Sequence, residues 1–331
     1  GPRGTAPTLE TLFAPIADDL RGLEDVLEME AAAPDPLLQT LVQHVVRNPG
    51  KRLRPSLVFL CARAAGGVTA DHMRLACVVE LLHAATLVHD DILDHAATRR
   101  GRPSVPARWD SEIAVIFGDY LFSVSFGLIA EFAEPRIVRE LASSTRAMCE
   151  GEMLQLQDRF HRQIPSTAEY LRMIELKTAT LLSACARLSV FLADRGRDDE
   201  AWGRFGHQFG MAFQIVDDCL DLRGEERQTG KSLGTDLTTG KATLPFLEIL
   251  DRLPPPERAR MLEAFWDGDL PNDRKRDRIL SAPCAGEAFE ACDRRARAYL
   301  DAARAFLRSQ PPSPAREALE GMAEHLRVRR R

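Results

Sequence analysis

The chain has 331 residues, with 44 Lys and Arg against 49 Asp and Glu, and a formal net charge of −5. Proteins held to nucleic acid by counterion release normally carry a basic surplus that neither the total nor any long internal block supplies here, so nucleic acid is not expected as a partner. With 45% hydrophobic and 28% charged residues, the composition also excludes a disordered chain.

From the amino end, residues 1–7 read as a disordered or added segment. The start Gly1-Pro2-Arg3-Gly4 has no apolar run behind it, so no secretory signal is expected and the expected location is cytoplasmic. Helical patterns follow over Leu9–Met29, Pro36–Arg47 and Leu53–Ala65. No proline occurs between Pro55 and Pro103 or between Pro165 and Pro245. Because a proline in a helix interior costs about 3 kcal/mol, these intervals permit long helices. From Asp71 onward, Leu75, Val78, Val79, Leu82, Ala85 and Thr86 recur at helical spacing, and similar patterns cover Trp109–Phe132, Pro135–Phe160, Thr167–Leu192 and Glu200–Leu222. These are the expected core helices, with shorter ones after Lys241, and strand signals are nearly absent. The weakly charged stretch Ile113–Ala130 contains Asp119, whereas a membrane span needs about 20 apolar residues without an interior carboxylate. It reads as a buried core helix, and no transmembrane segment is expected. Between Arg223 and Pro245 a segment rich in Gly, Thr and charge reads as a mobile loop. Cys61, Cys77, Cys149, Cys185, Cys219, Cys284 and Cys292 form no C-x-x-C pair and read as small core residues. The whole of 1–331 is expected to be one large all-α domain.

The first candidate site is His89-Asp90-Asp91-Ile92-Leu93-Asp94, ending an apolar helix. Asp90 and Asp94, at i and i+4, project together with Asp91 beside them, so their oxygens converge on a space that calls for a cation. Hard oxygen donors suit magnesium, which binds through one or two carboxylates plus substrate phosphates. A lone D-D-x-x-D reads better as a solvated acidic helix end, as do the pairs Asp18-Asp19 and Asp198-Asp199. A second copy, Asp217, Asp218 and Asp221, again closing a long apolar helix, changes that weighing. If the two helix ends face one another, their carboxylates surround one cavity fit for several divalent ions bridging a diphosphate. The basic set Lys51, Arg54, Arg99, Arg100, Lys177, Lys231 and Lys241 supplies what a second phosphorylated substrate needs. No H-E-x-x-H, P-loop, G-x-S-x-G or dinucleotide fingerprint is present, so proteolysis, ATP hydrolysis and hydride transfer have no support. Loss of a diphosphate leaving group, sheltered from water by an apolar bundle, fits best.

On these residues the chain resembles the trans-isoprenyl (polyprenyl) diphosphate synthases. The motifs run in family order: G-K-x-x-R-P at Gly50–Pro55, E-L-L-H-A-A-T-L-V-H-D-D-I-L-D at Glu80–Asp94, R-R-G-R-P-S from Arg99, G-D-Y at Gly118–Tyr120, E-G-E at Glu150–Glu152, Lys177-Thr178, F-Q-x-x-D-D-x-x-D at Phe213–Asp221, and G-K-x-x-G-x-D-L-x-x-G-K-x-T-L-P at Gly230–Pro245. The resemblance implies the isoprenoid synthase fold, a large single-domain helical bundle around a central cavity. It implies that Asp90, Asp91, Asp94, Asp217, Asp218 and Asp221 hold a cluster of Mg2+, about three ions per site, on an allylic diphosphate. It also assigns Arg99, Lys177, Thr178, Gln214, Lys231 and Lys241 to that substrate, and Lys51, Arg54, His83 and Arg100 to isopentenyl diphosphate. His83 has a rival reading as a core histidine. The implied reaction ionises the allylic substrate, joins the isopentenyl double bond to the cation and loses a proton. It needs no side-chain nucleophile, and the loop 223–245 would close over the site.

Product length depends on the floor beneath the first aspartates. Thr86, one turn before Asp90, and Ala85 beside it are small, which resembles the long-chain members that make hexaprenyl to decaprenyl products. Leu81, Leu82, Phe122 and Phe126 are the candidates for a nearer floor, which would give a farnesyl or geranylgeranyl diphosphate synthase. A non-catalytic regulatory subunit is disfavoured by the intact aspartates, and a terpene cyclase by Lys51 with Arg54. The family resemblance implies a homodimer, with the Ile113–Ala130 helix as its interface candidate. The basic end His325–Arg331 reads as a solvated run, unless it reaches the isopentenyl site or makes a peripheral membrane contact for product release.

Overall fold

The computed structural model describes residues 8–48, 50–224 and 234–328. In chain order its helices are α1 (Leu9–Leu12), α2 (Ala17–Glu30), α3 (Pro36–Val46), α4 (Leu53–Ala65), α5 (Ala70–Leu93), α6 (Val105–Arg108), α7 (Ser111–Ala130), α8 (Pro135–His161), α9 (Thr167–Ile174), α10 (Thr180–Ala193) and α11 (Asp199–Arg223). They continue as α12 (Thr235–Thr238), α13 (Leu244–Arg252), α14 (Pro255–Trp266), α15 (Asn272–Leu280), α16 (Ala285–Ser309) and α17 (Pro314–Val328). Among the described residues the strands are β1 (Thr98–Arg99) and β2 (Arg102–Pro103), paired antiparallel with Thr98 opposite Pro103.

The chain gathers into two compact units. One comprises the described residues up to Thr145 with Leu181–Gly206 and Phe306–Met322; the other comprises Arg146–Thr180, His207–Ala305 and the described residues from Ala323.

In the first unit α4 matches the expected Leu53–Ala65 helix, and α5 buries Leu75, Val78, Val79, Leu82 and Ala85 as their spacing requires. The start of α5 is fixed by a capping box in which Thr69 and His72 serve each other's backbone. The expected single helix over Leu9–Met29 is instead divided into α1, a 3-10 turn at Ala14–Ile16 and α2. Pro15 explains the break, since it has no N–H to donate to the preceding turn. α7 corrects the expectation of a buried core helix. It packs on α5 through Ala114, Phe117, Gly118, Leu121 and Leu128, while Val115, Ile116 and Phe126 are 42%, 67% and 48% exposed. One buried face cannot use a helix that is apolar all round, so a second apolar face stays open. By length and apolarity alone α7 and the run Thr167–Ala193 are each sufficient to cross a bilayer.

In the second unit the core includes Tyr170, Phe246 and Phe265, the last two rings stacked at 4.5 Å. The expected helix over Thr167–Leu192 contains a π-helical segment, Glu175–Ala179, between α9 and α10. Such a widened turn is frequent at functional sites, and this one carries Lys177 and Thr178. Of the expected loop 223–245, residues 225–233 lie outside the described residues. The described remainder is partly helical, because Gly234 at φ 67° opens α12 and Pro245, at the start of α13, needs no N–H partner there. Five of the cysteines are buried as expected, but Cys149 is exposed on the outer side of α8 and Cys284 is half-buried.

Candidate active site

The first acidic motif closes α5, and the helix turns its members in different directions. Asp90 and Asp94 share a face, whereas Asp91 is turned about 100° from Asp90 and is buried. Asp91 accepts hydrogen bonds from Arg99 Nε at 2.9 Å and Nη2 at 2.5 Å. Burial raises the Asp91 carboxyl above its ordinary value, opposed by the Arg99 guanidinium. Arg99 is brought there by the β1–β2 hairpin. Its two turn residues, Arg100 and Gly101, have φ of 52° and 74°, the positive pair that a two-residue I′ turn requires. The turn sends Arg100 the other way, where Nη1 donates to the Asn48 carbonyl at 2.7 Å. Gly50 lies beside it, and a Cβ there, 2.3 Å from Arg100 Nη2, would displace the guanidinium from this position.

Beside Asp91 opens a cavity lined by apolar Leu27, Leu81 and Leu87 and by Glu80, His83, Asp91, Arg99 and Arg100. Of the four residues expected to hold isopentenyl diphosphate, His83 and Arg100 border this cavity. Lys51 and Arg54 are not part of its lining; Lys51 is exposed, and Arg54 holds a buried Nε without a hydrogen-bond partner. Desolvation lowers the Arg54 guanidinium from its ordinary value, and the nearby Glu80 carboxylate opposes this. A guanidinium with a buried N–H that no protein group accepts is one that an anionic ligand would complete. Arg52, between these two, is structural. It pairs with Glu24 and Glu80, each at 2.6 Å, and adopts φ 49° to do so.

The residues expected to form a floor separate. Thr86 is half-buried on the Asp90 face, with Oγ1 donating to the His83 carbonyl at 2.8 Å. Ala85 and Leu82 are fully buried, and Leu81 lines the cavity beside Arg100. Ala85 lies about 140° round the helix from Asp90, so Thr86 alone is the small residue on the aspartate face. Phe122 stacks with Phe126 at 6.3 Å and lies 5.8 Å from His89. His89 in turn covers Gly118 so closely that a Cβ would come within 2.2 Å of its Nε2, which explains the glycine of G-D-Y.

The second motif closes α11. Asp218 is buried and accepts from Tyr170 Oη at 2.6 Å and from Gln214 Nε2 at 2.7 Å. Gln214 Oε1 accepts from Thr178 Oγ1 at 2.8 Å. Thus Gln214 and Thr178, expected to touch an allylic substrate, are turned toward each other and toward Asp218. Burial pushes the Asp218 carboxyl up to about 7, with the two hydrogen bonds opposing and the charges of Asp217 and Asp221 adding. Asp221 accepts from Thr235 Oγ1 at 2.6 Å and from the Asp236 N–H at 3.2 Å. Enclosure, then the Asp221 and Asp218 charges, hold the Asp236 carboxyl well above the usual range, against Lys241. Lys241 is buried; Lys177 is ion-paired with Glu152 and donates to Gln155 Oε1 at 3.0 Å. Lys231 lies outside the described residues.

Sequence reasoning misses Tyr170, Gln155, Glu152 and Asp236 as residues of this site. Glu152 and Asp236 stand inside the motifs given above; Tyr170 and Gln155 carry no signal beyond helical periodicity. Among the described residues no three acidic, His or Cys side chains are gathered closely enough to hold a metal ion by themselves. The donor set nevertheless fits magnesium, which takes one or two carboxylates and completes its shell with water and phosphate oxygens. Burial first, and the neighbouring carboxylates second, disfavour the charged forms of Asp218 and Asp236, a cost that a bound cation would offset.

The sequence model of the family described as Polyprenyl synthetase matches residues 35–280. The chain is 32% identical to an all-trans-nonaprenyl-diphosphate synthase (geranyl-diphosphate specific) of Rhodobacter capsulatus, covering 94% of each chain. It is 36% identical to heptaprenyl diphosphate synthase component 2 of Geobacillus stearothermophilus, covering 96% of this chain and 98% of that one. Among solved structures, a polyprenyl synthase from Caulobacter crescentus, complexed with calcium and isoprenyl diphosphate, superposes with a TM-score of 0.90 at 34% identity over 100% of both chains. The chain therefore belongs to the polyprenyl synthetase family, prenyltransferases of the all-α isoprenoid synthase fold.

Proposed function

We propose that this enzyme extends an allylic diphosphate with isopentenyl diphosphate to long-chain, hexaprenyl to decaprenyl, products. The observation that carries the reading is the cavity beside Asp91, where Arg100 and His83 meet an apolar wall, with the unpartnered Arg54 Nε in the same unit. That combination suits a small diphosphate ester with a short apolar tail. Lys51, Arg54, His83 and Arg100 hold this substrate, and Arg99, Lys177, Thr178, Gln214, Lys231 and Lys241 serve the allylic one. Asp90, Asp91, Asp94, Asp217, Asp218 and Asp221 are the carboxylates for Mg2+, about three ions per site. When bound, these ions supply the positive charge that draws off the allylic diphosphate. The basic side chains orient both diphosphates, and the apolar walls keep water from the allylic cation until the isopentenyl double bond attacks. The proton then leaves with the departed diphosphate as base.

Long products follow from Thr86, the small half-buried residue on the Asp90 face. The open apolar face of α7, with Ile116 and Phe126, supports a homodimer. We place the enzyme in the cytoplasm, with a peripheral membrane contact for product release.

The test is incubation with Mg2+, isopentenyl diphosphate and farnesyl diphosphate, with products resolved by mass spectrometry. Hexaprenyl or longer diphosphates are expected. Arrest at geranylgeranyl diphosphate would overturn the length assignment and move the floor to Leu81, Leu82 or Phe122. No elongation from any allylic starter would overturn catalysis by this chain alone and favour a component that needs a second chain.

A further inference from the structure

We propose that Tyr170 and the Gln214 amide, locked by Thr178, are positioning residues that fix the Asp218 carboxylate for a magnesium–diphosphate complex. This rests on the reading of the aspartates given above.

Each oxygen of Asp218 has one neutral donor. Tyr170 Oη donates to Oδ2 at 2.6 Å and Gln214 Nε2 donates to Oδ1 at 2.7 Å. The amide cannot reverse without cost, because Thr178 Oγ1 donates to its Oε1 at 2.8 Å, and a flipped amide would set that oxygen against the carboxylate. Tyr170 comes from α9, Gln214 from α11 four residues before Asp218 on the same helix, and Thr178 from the π-helical segment behind the amide, so each carboxylate oxygen meets a donor and one of the two donors is itself held by a separate element. Tyr170 is fully buried, which leaves its hydroxyl no bulk water as a substitute. It also borders a small pocket lined by Gln155, Asp158 and Lys241, one of the lysines assigned above to the allylic substrate.

The probe is Mg2+ with inorganic diphosphate, read as the rise in melting midpoint and as the Mg2+ concentration that gives half of it. The wild-type protein is expected to respond. Tyr170→Phe, which removes only the hydroxyl, is expected to raise the half-saturating Mg2+ about tenfold, the effect of one hydrogen bond to a charged group. In an Asp218→Ala background the same substitution is expected to add less than about a twofold change, since its target is gone. A wild-type response in Tyr170→Phe, or an equal loss in the Asp218→Ala background, overturns the positioning role and leaves the magnesium reading standing. No response in the wild-type protein overturns the magnesium reading itself, and the positioning role with it. Should Tyr170→Phe not fold, Thr178→Val releases the opposite arm; it too must raise the half-saturating Mg2+, and must do so less than about twofold in the Asp218→Ala background, so that an unchanged value, or an equal loss in both backgrounds, overturns the proposal.

Discussion

Gly151→Ala tests whether Lys177 depends on the widened turn that carries it. Gly151 is buried on α8, and a Cβ there would lie 2.9 Å from Lys177 N, 3.0 Å from Leu176 Cβ and 3.1 Å from Lys177 Cβ. Carbon pairs rest at about 3.5–4.0 Å, so the π-helical segment must retreat by about 0.5 Å. Two of the three contacts are with Lys177 itself, and one is with its backbone, so a rotamer change offers no relief. Overpacking of this kind costs about 1–3 kcal/mol. Alanine in place of glycine in a helix returns about 1 kcal/mol, so the net loss is at most about 2 kcal/mol. Unfolding entropy of about 2.1 cal/mol/K per residue over 331 residues gives about 0.7 kcal/mol/K, so the melting midpoint falls by no more than about 3 °C. Turnover is far more sensitive, because a displacement of about 1 Å can cost a hundredfold, and half of that about tenfold. The expected signature is a tenfold drop in kcat with nearly native melting, measured by isopentenyl incorporation and calorimetry. A kcat within about twofold of wild type would refute the argument that the Lys177 position is set by contact with Gly151.

Asp90→Ala and Asp217→Ala are each expected to lower turnover about a hundredfold or more while circular dichroism stays helical, and full activity in either would sink the magnesium assignment. Thr86→Phe should shorten the longest product seen by mass spectrometry; an unchanged distribution would mean that the Asp90 face does not bound the chain. His72 gives a pH prediction. Its Nδ1 accepts from the Thr69 N–H at 3.0 Å and its Nε2 donates to the Ser189 carbonyl at 2.8 Å, so the folded state holds the neutral ring. Burial lowers its pKa below the ordinary value, so its contribution to stability is complete above about pH 6.5 and is lost as pH falls through the folded-state value. Melting midpoints should therefore fall between pH 7 and pH 5 in the wild-type protein and fall less in His72→Gln; equal slopes would refute the assignment.

Helix content was legible because it follows from short-range rules. Proline-free intervals permitted α5 and α11, and apolar residues at three- and four-residue spacing located these together with α4 and α8 to within a few residues. The aspartates were legible for the same reason, since spacing on a helix places Asp90 and Asp94 on one face. The break at Pro15 was also a local effect, and the sequence contained it. The π-helical turn at Glu175–Ala179 was not legible, because its widened hydrogen bonding leaves the residue pattern helical on either side. Nor was the open face of α7, since apolarity all round does not say which side meets α5.

By itself the sequence determined the all-α class, the family, and the residue types available for diphosphates and divalent ions. Only the tertiary structure decided which protein groups hold the buried member of each acidic motif. Asp91 is held by Arg99, eight residues away, and Asp218 by Tyr170, 48 residues away. Those partners arrive through a hairpin turn and a neighbouring helix. Helical periodicity fixes the face on which a side chain stands, but a hydrogen bond needs a donor within about 3 Å and in line. That condition is met only when distant segments pack.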